Sequence, residues 1–178
     1  MNTAELNRLT QNLIRIGTIA VVDHAARRLK VASGKLLTAW LDWPAEIGRN
    51  YKRWQPLRIG TQVILACPGG DPAQAIIIGM LYSNSHPSPS TDPDIDLIQF
   101  DNGSFIAHNH SAKTLTLHSA GDLIFSAKGQ ISHRAEQHNI SGPVTQTGGD
   151  STSDGISAQF HKHGGIAKGL DITKVPEG

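Results

Sequence analysis

A repeat of eight residues runs through residues 112–142, and it constrains the fold more than any other feature of the sequence. The second position of a unit holds glycine twice, at Gly121 and Gly129, and then Gln137. The fourth, sixth and eighth positions of successive units are Leu115, Leu117 and Ser119; Leu123, Phe125 and Ala127; Ile131, His133 and Ala135; and Asn139, Ser141 and Pro143. Because the apolar positions are two residues apart, the pattern predicts short β-strands joined by tight turns.

A β-meander of this composition cannot cover its own apolar face. Ordering the backbone costs about 1–2 kcal/mol per residue, and two or three apolar side chains per unit do not offset that cost. Three copies wound around one axis would bury the apolar face of each chain and pair the strand edges between chains. The repeat therefore predicts a homotrimer, and a β-sandwich half covered by the rest of the chain is the alternative that it leaves open.

The inward positions of the repeat become more polar along the chain. They change from Leu117 and Phe125 to His133 and Ser141. This change predicts a shaft that narrows toward its C-terminal end. Buried polar groups need partners, so the polar inward positions predict axial waters or structural ions in the shaft.

A proline-rich segment at residues 86–94 separates two parts of different composition. Three prolines lie within residues 87–93, which indicates an extended linker. All three tryptophans precede this segment, whereas seven of the nine histidines follow residue 100. We therefore divide the chain into a globular domain at 1–85, a linker at 86–94, a shaft at 95–165 and a tail at 166–178.

The first part is predicted to be a short helix followed by a small barrel. Leu6, Leu9, Leu13 and Ile16 lie at helical spacing, with Thr3 as a candidate cap. Five short strands in about 70 residues suggest an OB-fold. The strands are predicted at Arg15–Asp23, Leu29–Gly34, Lys35–Asp42, Thr61–Cys67 and Ala75–Tyr82, with a turn at Pro68–Pro72.

Two histidines near the C-terminus, His161 and His163, are the candidate metal ligands. In an extended strand both side chains project to the same side. Three symmetry-related copies would supply six imidazoles, enough for octahedral coordination of Fe(II), Co(II), Ni(II) or Zn(II). Six protein ligands leave no open position, so such a site is structural. A solvated pair of histidines is the alternative.

A second pair, His108 and His110, follows a hairpin signal at Asp101-Asn102-Gly103. A cupin metal site would need a carboxylate a few residues later, and residues 111–114 contain none. We interpret both histidines as surface residues at the base of the shaft.

The sequence lacks the common catalytic motifs. It contains no Gly-x-Ser-x-Gly, no phosphate-binding P-loop and no His-Glu-x-x-His. Cys67 ends an apolar run, which favours packing over nucleophilic chemistry. Asp23 ends a predicted strand and His24 follows it directly, and adjacent residues of an extended strand point to opposite faces. We predict no enzymatic activity and no small-molecule substrate.

Charge argues against nucleic acid as a partner, because 16 Lys and Arg nearly balance 15 Asp and Glu. An OB-fold that binds nucleic acid through Arg49, Lys52, Arg53 and Trp54, with a β-rich oligomerisation tail, is the alternative function. The sequence shows no apolar run long enough to span a bilayer and no secretory signal.

Several segments, in this order, resemble the central spike of contractile phage tails and R-type pyocins, the baseplate assembly protein V type. The resemblance is carried by Arg15–Ile19, Val22-Asp23, Leu37–Trp43, Trp54–Pro56, Gly60–Leu65, Asp154–Ile156 and His161–Gly165. It spans nearly the whole chain.

The resemblance implies a trimer with an OB-fold collar on the baseplate hub at the end of the tail tube, followed by an intertwined triple-stranded β-helix. His161 and His163 match the family's apex pair, which binds one iron ion through six histidines per trimer. The implied role is mechanical: the spike pierces the outer membrane of the target cell. The implied location is the baseplate of a virion or tailocin assembled in the host cytoplasm. The chain leaves no room for an appended lysozyme domain.

Overall fold

The structure is a computed structural model that describes residues 2–162, and it opens with one short α-helix, α1 (Thr3–Asn12). The Asn2 side chain caps this helix by accepting a hydrogen bond from the Ala4 backbone N–H at 2.9 Å. Thr3, the predicted cap, is instead the first helical residue. Asparagine and threonine both favour the cap position, so the helical spacing of the leucines did not show whether Asn2 or Thr3 is the cap.

The first part of the chain contains eight strands. They are β1 (Ile14–Asp23), β2 (Arg28–Ser33), β3 (Leu36–Leu37), β4 (Leu41–Asp42), β5 (Glu46–Ile47), β6 (Lys52–Arg53), β7 (Gln62–Ala66) and β8 (Ile76–Leu81). Six of them form an antiparallel sheet in the order β3-β2-β1-β7-β8, with β4 also paired to β2. Short 3-10 turns at Pro68–Gly70 and Pro72–Gln74 join β7 to β8 and confirm the predicted turn.

The predicted third strand, Lys35–Asp42, is divided into β3 and β4. Thr38 lies between them, and its hydroxyl oxygen accepts the Val31 N–H at 2.9 Å. The Thr38 backbone N–H donates to the Val31 carbonyl at 3.0 Å. The side chain thus replaces one backbone partner and interrupts the ladder.

The hairpin of β5 and β6 was not predicted from the sequence. Its two-residue strands are Glu46-Ile47 and Lys52-Arg53, which mix charged and apolar residues. Such short strands carry no alternation that a sequence pattern could detect.

The core of this domain lies between the sheet and its connections. Alternate residues of β2 and β7 face inward, as in a half-buried sheet. The buried apolar residues are Ile19, Leu29, Val31, Leu41, Leu57, Val63, Leu65, Cys67, Ala75 and Ile77. A glycine lets α1 approach this domain: Gly70 has φ +72°, and a Cβ there would lie 2.5 Å from the Leu9 carbonyl oxygen.

A second sheet follows as an antiparallel meander of β9 (Ile95–Gln99), β10 (Phe105–Asn109) and β11 (Thr114–His118). The predicted hairpin signal is confirmed between β9 and β10. There the Asn102 side chain accepts the Ser104 N–H at 2.9 Å, and Gly103 has φ +90°. The central strand of this sheet is β10.

The chain forms two units, of which the first ends at Ile124 and the second begins at Phe125. In its described part, residues 125–162, the second unit contains one hairpin, β12 (Thr152–Ser153) and β13 (Ile156–Ser157). Within residues 2–162, no helix is long and apolar enough to cross a membrane. Strands with one short helix agree with the predicted all-β class and OB-like domain, whereas the division at residues 86–94 stays a prediction.

Candidate assembly surface and apex site

One face of the β9–β11 sheet gathers apolar side chains from all three strands. Residues directly opposite each other in an antiparallel pair project to the same side. The register aligns Ile98, Ile106 and Leu117 in one row, and Asp96, His108 and Leu115 in the next. We call the surface formed by these six residues the open face.

The apolar residues of the open face are uncovered in a single chain. Leu115 is 67% exposed, Leu117 is 52% exposed and Ile98 is 49% exposed. Residues on the other side of the sheet, such as Leu97 and Phe105, are partly buried. A contiguous apolar surface of this kind marks an interface.

Leu115 and Leu117 were predicted from the repeat as inward residues, whereas Ile98 and Ile106 were not. The repeat begins only at residue 112, so strands β9 and β10 lay outside its frame. Strands β9 and β10 carry apolar residues on both faces, so no alternation marks Ile98 or Ile106 as inward. The sequence signal for their pairing is the hairpin at Asn102.

Beyond β11 the predicted inward residues are also exposed in the single chain. Leu123, Phe125 and Ile131 each have about half or more of their surface uncovered. Between residues 119 and 151, all of which the structure describes, no strand is formed. Backbone N–H and C=O groups in a segment without strand pairing need partners, which other chains can supply.

A tight hairpin precedes the candidate metal ligands. Asp154 and Gly155 form its turn with φ values of +50° and +82°. Both values lie in the left-handed region that two-residue hairpin turns require, and Asp-Gly is a favoured pair there. The Ala158 N–H donates to the Ser151 carbonyl at 2.7 Å and closes the hairpin on its open side.

His161 is held in a defined orientation by the strand before it. Its Nδ1 lies 2.9 Å from the Ser157 carbonyl oxygen. A carbonyl can only accept, so Nδ1 carries the proton and the lone pair of the neutral ring lies on Nε2. An imidazole oriented in this way through its other nitrogen is typical of metal ligands. The second predicted ligand, His163, lies outside the described residues, as does the predicted tail at 166–178.

Asp150 fixes the loop that carries His161. Its carboxylate accepts hydrogen bonds from the Ser157 hydroxyl and from backbone N–H groups, including that of Gln159 at 3.2 Å. The hydrogen bond from Ser157 is the largest cause that lowers the pKa of Asp150 below its usual value. Ser157 in turn accepts the Phe160 N–H. Ser157 therefore connects Asp150 to His161, because its hydroxyl donates to Asp150 and its carbonyl oxygen accepts from His161.

A single chain does not complete a metal site in the described region. Residues 2–162 contain no group of three or more His, Cys, Asp or Glu side chains that could hold an ion. A metal at His161 therefore requires ligands from beyond one chain's described residues. This requirement fits a donor set that three chains share.

Two residues of the cluster proposed for nucleic acid, Arg53 and Trp54, have contacts within the domain. Trp54 stacks on Trp43 with ring centroids 5.2 Å apart, and Arg53 pairs with Glu46 at 3.1 Å. These residues line a cleft of about 690 Å³ whose walls also include the carboxylate of Asp42. The mixed charge differs from the basic groove of a single-strand binder. The remaining two cluster residues, Arg49 and Lys52, are exposed.

The residues considered for catalysis have structural contacts. Cys67 is 1% exposed, and burial raises the pKa of its thiol, so it stays protonated near neutral pH. Asp23 accepts the Ala26 N–H at 2.8 Å in the turn after β1. His24 lies 3.0 Å from the Leu57 carbonyl through Nε2 and packs on Trp43. Asp23 and His24 therefore bind different backbone groups and are not joined by a hydrogen bond that the structure shows.

The OB-like domain, which we call the collar, and the full chain each match known proteins. Residues 15–82 match the family of type VI secretion system and phage-baseplate injector OB domains. The full chain is similar to the spike protein of Escherichia phage P2. The two are 26% identical over 200 aligned residues, which cover 94% of this chain and 95% of that protein. The resemblance to baseplate spikes is thereby confirmed, and it supports a structural role at a phage-type baseplate.

Proposed function

We propose that three copies of this chain form the spike at the tip of a contractile tail tube, which pierces the outer membrane of the target cell. The observation that carries the proposal is the open face. It leaves Ile98, Ile106, Leu115 and Leu117 uncovered in a chain whose collar matches injector OB domains. A second and third copy would cover these side chains and make the sheet one wall of a three-sided prism.

The shaft continues from this prism as an intertwined triple-stranded β-helix. Its exposed inward residues, Leu123, Phe125 and Ile131, would then meet their counterparts at the axis. Strands of three chains that pair with one another also satisfy the backbone groups of residues 119–151. Both requirements are met by the same arrangement, and neither is met by a single chain.

The apex is proposed to hold one metal ion through His161 and His163 of all three chains. Neutral imidazoles from His161 and His163 suit a divalent transition metal, and iron is the ion that the resemblance implies. The ion would supply structural bonds between chain ends. The chain's own residues would orient the ligand, because Ser157 fixes the ring through Nδ1.

The collar is proposed to seat the spike on the baseplate hub. The 26% identity to a phage P2 protein named for a spike covers collar and shaft alike, which supports one continuous assembly. A particle of this type is a phage tail or an R-type pyocin. The piercing role follows from a narrow, metal-bound tip that is driven forward by sheath contraction.

Cysteine cross-linking between chains tests the proposal. The native cysteine, Cys67, is buried and protonated, so it contributes little background. Ile106→Cys on the open face should give covalent trimers with a short trifunctional maleimide. Ala107→Cys, on the opposite side of the same strand, is the matched control and should remain monomeric on denaturing gels. Equal cross-linking of the two variants, or none in either, would refute the proposed interface.

A particle-level assay addresses the tip. Tails that carry His161→Ala and His163→Ala should still assemble and contract, but they should penetrate outer-membrane vesicles less often than wild-type tails. Unchanged penetration by metal-free tails would remove the metal from the proposed mechanism.

A further inference from the structure

The open face carries one polar pair among its apolar residues. Asp96 and His108 lie opposite each other in the β9–β10 register, in the same row as Leu115. The Asp96 carboxylate oxygen lies 3.9 Å from Nδ1 of His108. In the single chain, His108 is 48% exposed and Asp96 is 96% exposed.

If three copies of the chain cover the open face, as in the proposed function, the Asp96–His108 pair is taken out of water. The inference rests on that trimer. His108 lies on the central strand β10, so it would be among the residues nearest the axis. Three carboxylates and three imidazoles would then meet in an apolar surrounding. Three buried negative charges need compensation by cations, either a bound metal or protonated histidines.

We propose that His108 and Asp96 of three chains bind a divalent transition-metal ion at the base of the shaft. Nitrogen and oxygen ligands lie about 2.1 Å from such an ion, so two ligands of one ion are at most about 4.2 Å apart. The observed 3.9 Å lies within this limit. Three nitrogen and three oxygen donors suit an octahedral ion such as Co(II), Ni(II) or Zn(II).

This site differs from the apex in position and in ligands. His108 lies on β10 in the first unit of the chain, whereas His161 follows β13 in the second. The apex is expected to use imidazoles alone, and the base site adds carboxylates. The interpretation of His108 as a surface residue from its sequence context holds for the single chain, and the trimer would enclose it.

The test uses the full chain with its apex ligands removed. The variant His161→Ala, His163→Ala is purified, stripped with chelator and loaded with Co(II). Its mass is then measured by light scattering, and the cobalt in the same peak is measured by elemental analysis. The expected result is a trimer that retains one cobalt ion per three chains, with the visible spectrum of a six-coordinate ion.

Adding His108→Phe to that variant should lower the cobalt content at least tenfold while the trimer remains. His108→Gln serves the same purpose should the phenylalanine variant fail to fold. Asp96→Asn should weaken cobalt binding without abolishing the trimer. As a control, His110→Gln should leave the cobalt content unchanged.

The outcomes separate this inference from the proposed function. A trimer without cobalt in the apex-deleted variant overturns the base site and leaves the spike intact, with three Asp96–His108 ion pairs in its place. Cobalt that persists after His108→Phe also overturns the site. A monomer overturns both proposals.

Discussion

Leu117→Ala perturbs the proposed interface most cleanly. Leu117 lies in the row with Ile106 and Ile98, and about half of its surface is exposed in a single chain. Truncation of a fully buried leucine to alanine costs about 2–5 kcal/mol. Because the contacts within one chain already cover half of this side chain, the part lost from the interface is about 1–2.5 kcal/mol per chain.

The threefold axis multiplies this effect. Three truncated leucines remove about 3–8 kcal/mol from the assembly free energy of one trimer. Since about 1.4 kcal/mol corresponds to a factor of ten, the association constant should fall by about two to five orders of magnitude. The assay is sedimentation velocity over a dilution series, which locates the concentration at which the trimer dissociates.

Thr116→Ala is the matched control, because Thr116 pairs with Ala107 and projects from the other side of β11. It removes two heavy atoms outside the proposed interface, so the dissociation midpoint should move little. If Leu117→Ala dissociates at the same concentration as Thr116→Ala, the open face is not the trimer interface and the reasoning from its exposure is wrong.

Three further predictions concern the apex and the collar. Replacing both apex histidines, His161→Ala with His163→Ala, should remove the apex ion without dissolving the trimer, as elemental analysis and light scattering of one peak would show; a monomer would mean that metal holds the whole assembly. Because the pKa of Asp150 is lowered, its carboxylate stabilises the loop that carries His161 above pH 3.8, the ordinary pKa of aspartate. This stabilisation is lost as the pH falls below that value and the carboxylate is protonated. Proteolysis of that loop should therefore rise in acid in the wild type, but it should be high at all pH values in Asp150→Asn; a wild-type loop insensitive to acid would contradict this. Gly17→Ala should destabilise the collar by about 1–3 kcal/mol in urea unfolding, because a Cβ there would lie 2.8 Å from the Ala32 carbonyl oxygen. Gly121→Ala is the control, because no atom lies within 4 Å of a Cβ added at Gly121. Equal urea midpoints for the two variants would contradict the packing argument.

The collar was largely predictable because its longer strands are apolar runs bounded by turn residues. In β7, an apolar run from Val63 to Ala66 predicts a strand, and the structure shows that Val63 and Leu65 are its buried residues. The interruption of the third strand was not, because Thr38 acts through a hydrogen bond to Val31, a residue seven positions away. Composition and spacing do not encode such a partner.

The assembly surface was predictable in part. The repeat identified Leu115 and Leu117, but the register that adds Ile98, Ile106 and the polar pair depends on how β9 and β10 align. At the apex the sequence supplied the His-x-His spacing. The carbonyl of Ser157 that selects the tautomer of His161 became visible only in three dimensions.

The central claim is that this chain acts as a trimer, and the native mass of the purified protein tests it most directly. Light scattering coupled to size exclusion should give about 57 kDa, three times the chain mass of 19.1 kDa, at micromolar concentration. A mass near that of one chain over the same concentration range would contradict the account. In that case the open face would need a cover other than copies of this chain.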